Sequence, residues 1–201
     1  MPNGEQVPKG PGTWVVKIGS AMVSREGRGL DESVLAQWVQ QICRLREERQ
    51  LSVVLVSSGA VAEGVSRLRW AQRPRAIHRL QAAAAVGQPG LMQAYERQFR
   101  SRGVLSAQIL ITREDVAATE RRRNVQATLR TLLGLQVVPI VNQNDAVSTE
   151  EIGFGDNDRL AALVARLVGA ERLVLLSDPD RMEDLETPAC ATEREAVFLQ
   201  I

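Results

Sequence analysis

Trp14-Val15-Val16-Lys17-Ile18-Gly19-Ser20 is a short apolar run with one lysine inside it and a Gly-Ser turn directly behind. The run is continuously apolar rather than alternating, the pattern of a strand covered on both faces in a parallel sheet. Runs of the same kind recur at 53–56, 108–111, 137–141 and 173–176. Longer segments with helical periodicity lie between them. In 31–49, Val34, Leu35, Trp38, Ile42 and Leu45 share one stripe, and Asp31 is placed to cap the start. In 119–133 the stripe is Val125, Leu129, Leu132 and Leu133, and in 158–168 it is Leu160, Leu163, Val164 and Leu167. Strands alternating with helices predict an α/β fold with a mainly parallel central sheet.

In open α/β sheets, ligands sit beyond the carboxyl ends of the strands. Four of these runs end in small or polar residues: Lys17-Ile18-Gly19-Ser20, Ser57-Ser58-Gly59-Ala60, Asn142-Gln143-Asn144-Asp145 and Ser177-Asp178. Lys17 is a cation able to face phosphate beside turn amides, or else a solvated strand-end lysine. Ser58-Gly59-Ala60 is a phosphate or carboxylate cradle at a helix start, or an ordinary turn. It is not a Walker A loop, because the Gly-Lys-Ser/Thr is absent. Asn142 to Asp145 and Asp156-Asn157-Asp158 are turn formers or caps, with Asp158 placed to cap the helix behind it. Together they also offer what a free amino acid requires: carboxylates for its ammonium and amide donors for its carboxylates.

The rest of the composition mainly excludes. The net charge is +1, so no polyanionic partner is indicated. Only Lys9 and Lys17 are lysines; the other basic residues are arginines. The single histidine, His78, argues against a histidine metal cluster and a Ser-His-Asp triad. Cys43 and Cys190, far apart, make no disulfide framework, and Cys43 reads as a buried thiol in a helix. Arg121-Arg122-Arg123 reads as a solvated helix face, and Trp14, Trp38 and Trp70 as packing residues. No apolar run is long enough to span a bilayer, and the polar start 1–12 lacks the apolar core of a signal peptide. These features predict a cytoplasmic protein without nucleic-acid or membrane partners.

In family order over roughly 13–178, the motifs resemble the amino acid kinase family, and within it the glutamate 5-kinase branch. The matching segments are Val15 to Ser20, Val56 to Ala62, Ala83 to Gln88, Leu91 to Glu96, 108–112, Arg123-Asn124, Val138 to Val147, Phe154 to Asp158 and Leu175 to Asp178. Ala-Val-Gly-Gln at 85–88 and Asn-Gln-Asn-Asp-Ala-Val at 142–147 distinguish this branch. The resemblance implies a three-layer α/β sandwich and ATP- and Mg²⁺-dependent phosphorylation of the L-glutamate side-chain carboxylate. That reaction is the first step of proline biosynthesis. Lys17 and Asp158 would be catalytic, Asp158 orienting the lysine. Ser58, Gly59, Asn142, Asp145, Asp156 and Asn157 would hold glutamate. Lys17, Gly19, Ser20, Ser177 and Asp178 would meet the nucleotide, and no protein metal ligand is assigned. A homo-oligomer is expected.

After Ser177-Asp178 the family pattern is lost. The later Gly-Thr-Gly-Gly-Met loop and second lysine do not occur in these 201 residues. The expected organisation is a flexible start at 1–12, an incomplete kinase domain at 13–178 lacking its carboxy-terminal part, and a divergent tail at 179–201. The expected activity of this chain alone is impaired. The alternatives are an inactive glutamate-binding module and an amino acid kinase with another acceptor.

Overall fold

The computed structural model describes residues 12–24, 29–147, 156–176 and 196–198, with backbone alone for Asp156 and 196–198. Five strands fall where the apolar runs predict them: β1 (Thr13–Ile18), β2 (Ser52–Ser57), β3 (Ser106–Ile111), β4 (Val138–Gln143) and β5 (Arg172–Leu176). A short β6 (Ala196–Phe198) joins them. The six-stranded sheet has the order β3-β4-β2-β1-β5-β6, and every pairing is parallel. β1 therefore lies inside the sheet, with Ile18 level with Ser57 on one side and Leu176 on the other. Parallel pairing brings all the strand carboxyl ends to one edge.

Helices cover both faces, which completes the expected three layers. Successive strand residues point to opposite faces. Val16, Ile18, Leu55, Ile140 and Leu176 pack with α1 (Glu32–Arg49) and α3 (Ile77–Arg100). Val15, Val56, Val141 and Leu175 pack with α5 (Thr119–Gly134) and α6 (Asp156–Val168). Asp31 caps α1 as expected, its side chain accepting from the amides of Ser33 and Val34. Cys43 is a buried free thiol, and burial pushes it above its ordinary pKa. Trp14 lies under the Arg172 guanidinium, 5.0 Å from the ring centre, and Arg121 to Arg123 are exposed.

Two differences from the periodicity matter for the site. α6 begins at Asp156, so Asp158 lies within its first turn and does not cap it. The stretch between β2 and β3 holds α2 (Ala60–Arg67) and the long α3, whose buried faces carry Ala and Gly beside Val61, Val65, Leu80 and Leu91. Their contact combines small residues with the side chains of Val61, Val65 and Leu80. A methyl group on Gly64 would come 1.7 Å from the Ala83 carbonyl oxygen, and one on Gly87 would come 1.9 Å from that of Ala60. At Gly64 and Gly87 the two backbones touch because side chains are absent there, a closeness that hydrophobic spacing does not register. Pro89 sits on the exposed side of α3. The short α4 (Arg113–Ala117) carries a reciprocal Thr112–Asp115 capping box. Among the described residues, no helix is long and apolar enough to cross a membrane.

Candidate functional site

Lys17 is the last residue but one of β1 and shares a face with Val15, the face covered by α6. It is 6% exposed. A buried ammonium requires a counter-charge. Asp158, in the first turn of α6, supplies it with Oδ1 at 2.6 Å from Lys17 Nζ. The pair closes the end of the sheet on that face.

Ser57, Ser58 and Asn142 stand beside it. β2 ends at Ser57, whose hydroxyl shares a 2.8 Å hydrogen bond with the buried Tyr95 hydroxyl of α3. Burial raises the Tyr95 pKa, and the bond from Ser57 opposes that rise. Gly59 then starts α2 at φ +117, a left-handed conformation that disfavours any side chain, and the helix start has no side-chain cap. Asn142 occupies the β4 face of Val138 and Ile140 and is 2% exposed. Its Oδ1 accepts from the Gln143 amide at 2.9 Å, and its Nδ2 donates to Gln88 Oε1 at 2.8 Å. From the opposite layer, Asn157 Nδ2 reaches the Ser57 carbonyl at 3.2 Å, Ser58 Oγ at 2.7 Å and Asn142 Oδ1 at 3.0 Å. A chain of amides thus runs across the strand ends from α3 to α6.

The structure therefore gathers Lys17, Ser58, Gly59, Asn142, Asn157 and Asp158 at the carboxyl edge of the sheet. Asp145 lies in the turn behind β4, and its charge faces the Arg73 guanidinium. Partial desolvation lowers the Arg73 pKa, and Asp145 raises it. Arg73 belongs to an arginine-rich loop between α2 and α3 that lines an open cleft of about 880 Å³. The Gly19 amide is engaged within the fold: it donates to the Leu176 carbonyl at 2.9 Å and extends the β1–β5 pairing. Ser20 begins a single 3-10 turn. Asp156 opens α6 by its backbone. Ser177 and Asp178 follow β5 outside the described residues.

Sequence reasoning gave no role to Gln88, Tyr95 or Arg73. The signal available for Gln88 was its place in the Ala-Val-Gly-Gln segment, next to the glycine that seats α3 on α2.

The arrangement suits a phosphate-bearing ligand. It holds a buried cation at a strand end and an uncapped helix start reached through a glycine. Among the described residues there is no group of three or more His, Cys, Asp or Glu side chains able to hold a metal ion.

Comparison with known proteins gives the same family. The profile of the amino acid kinase family matches residues 12–184. A glutamate 5-kinase of Thioalkalivibrio sulfidiphilus is 56% identical over 178 residues, which are 89% of this chain and 47% of that protein. Those of Ectopseudomonas mendocina and Nitrosospira multiformis are each 57% identical, over 84% and 82% of this chain and 45% and 44% of theirs. The chain spans about half the length of the curated relatives it matches. With the parallel sheet, the lysine at the end of β1 and this profile in agreement, the chain belongs to the amino acid kinase family.

Proposed function

We propose that the intact protein transfers the γ-phosphoryl group of ATP to the side-chain carboxylate of L-glutamate, giving an acyl phosphate for proline biosynthesis. The observation that carries the proposal is the juxtaposition of the Lys17–Asp158 pair with the Ser58–Asn142–Asn157 cluster. One half offers a lysine ammonium, held by a carboxylate, to meet phosphate charge. The other is neutral and rich in donors and acceptors, as an amino-acid substrate needs. ATP with Mg²⁺ supplies the phosphoryl group and screens its charge.

The residues of this chain bind and align. The Lys17 ammonium, held in place by Asp158, stabilises negative charge on the transferring group. Ser58 and the first amides of α2 meet a carboxylate, and Asp145 and Asn157 meet the substrate ammonium. Such a site accelerates the reaction by positioning and fixed charge, with no covalent step on the protein. Ser177, Asp178, Ser20 and Gly19 remain the proposed nucleotide side, and Asp156 a further contact on the glutamate side. The cytoplasm and a homo-oligomeric state are part of the same proposal.

Calorimetry of glutamate binding to the intact protein tests the acceptor half. Losing a charged hydrogen bond costs ~1.5–3 kcal/mol, so Asp145→Ala should weaken binding about 10- to 100-fold. Equal affinities would remove Asp145 from the site. A hydroxamate trap of the acyl phosphate, run with ATP and glutamate, tests the reaction. Absence of product from the intact protein would refute it.

A further inference from the structure

Gln88 is 8% exposed, and its side chain forms the α3 end of the amide chain. The orientation of each amide in the chain follows from the backbone groups at its ends. The Gln143 N–H can only donate, so Asn142 turns Oδ1 towards it. Asn142 must then offer Nδ2 to Gln88, whose Oε1 faces it. At the other end the Ser57 carbonyl can only accept, so Asn157 turns Nδ2 towards it. The same Nδ2 meets Asn142 Oδ1 and Ser58 Oγ.

This ordering leaves one atom over at each end. Gln88 Nε2 and Asn157 Oδ1 are buried, and neither has a hydrogen-bond partner among the described residues. Buried amides left unpaired in this way are costly, and a ligand is one explanation for their retention. The Asn157 carboxamide belongs to the acceptor site proposed above, and its oxygen is presented as an acceptor only while its nitrogen is held on the strand ends.

We propose that Gln88 is a positioning residue of this site: by fixing Asn142, it holds Asn157 with its Oδ1 turned to accept from an N–H donor of the amino-acid substrate. The close seating of α3 on α2 at Gly87 brings the glutamine to Asn142. Removing the Gln88 acceptor frees Asn142 Nδ2, and the clamp on Asn157 Nδ2 loosens with it. The substrate arm of this inference rests on the proposed glutamate site; the Gln88–Asn142–Asn157 arm does not.

The test uses Gln88→Met, which keeps length and removes the acceptor, and Gln88→Glu, which keeps an oxygen for Asn142. Nuclear magnetic resonance of side-chain amide exchange in the intact protein reads the clamp directly. The Met variant should exchange the Asn142 and Asn157 side-chain protons at least about 10-fold faster with backbone exchange preserved, and the Glu variant should stay near wild type. In steady-state kinetics the Met variant should lose about 10-fold or more in kcat/KM for glutamate with the KM for ATP within about twofold, as expected for a displaced substrate contact. Unchanged exchange at Asn157, or an equal rise in both KM values, overturns the inference. If the wild-type protein shows no affinity for glutamate, the functional proposal falls, and the exchange measurement alone decides the role of Gln88.

Discussion

Replacing Asp158 by Asn removes the charge that faces Lys17 and changes the shape of the site very little. The two groups are 2.6 Å apart and their side chains are only 7% and 12% exposed. At an effective dielectric constant of about 20 their attraction is ~6 kcal/mol, a large part of which offsets the desolvation of both ions. Removing one partner of a buried pair leaves the other charge uncompensated, which costs ~3–5 kcal/mol. Asparagine keeps a carbonyl oxygen to accept from the ammonium, so the lower end, ~3 kcal/mol, is expected. In a domain of this size that lowers Tm by roughly 6–12 °C. Thermal unfolding followed by circular dichroism reads the change. The paired replacement Lys17→Met with Asp158→Leu should recover most of the loss, because both charges of the pair are then removed together. A fall in Tm below about 2 °C for Asp158→Asn, or a double variant no more stable than the single one, would refute a tightly coupled buried pair.

Gly87→Ala should cost at least ~3 kcal/mol, since its methyl would fall 1.9 Å from the Ala60 carbonyl oxygen and 2.4 Å from the Gly64 nitrogen. Chemical denaturation would show it as a lower midpoint, and an unchanged midpoint would refute the close contact. Alkaline pH should destabilise the fold. Burial raises Tyr95 above its ordinary 10 and Cys43 above its ordinary 9, so the folded state favours their neutral forms. Their contribution is complete below about pH 9 and is lost as pH rises through and above 9 to 10. The Tyr95→Phe, Cys43→Ala protein should show a flatter fall of Tm with alkaline pH, and an equally steep fall would refute the assignment.

The sheet was legible because the central strands β1, β2 and β4 are buried on both faces and the edge strand β3 and β5 keep the same short apolar runs. Lys17, Ser58 and Asn142 were legible as polar residues placed where core strands end, and Asn157 as part of the Asp156-Asn157-Asp158 cluster. Asp158 was recognised, and its pairing with Lys17 follows from their sharing one face, although periodicity started the helix at 158, two residues after its first residue. The α2–α3 contact was not legible: it depends on Gly64 and Gly87 having no side chain, and hydrophobic patterning detects side chains. Gln88 escaped for a related reason. A lone amide on a helix reads as solvent-facing until the fold shows Asn142 opposite it. Arg73 meets Asp145 only through a loop whose path no local pattern determines.

The position of β1 has a consequence for how the chain acquires its structure during synthesis. Residue 14 pairs on one side with residue 53 and on the other with residue 172. While the nascent chain emerges, the β1–β2–β4–β3 portion can assemble early, but one flank of β1 keeps its amides and carbonyls unpaired until β5 leaves the ribosome. Until α6 has also emerged, just ahead of β5, Val15 lacks that side of its packing and Lys17 lacks the Asp158 carboxylate. A partly made chain thus presents an open parallel edge with apolar residues on both faces, a surface prone to pair with other chains. The ribosome-bound intermediate is where a holdase chaperone is most needed, and slowing translation just before codon 156 should lengthen that exposure and lower the soluble yield.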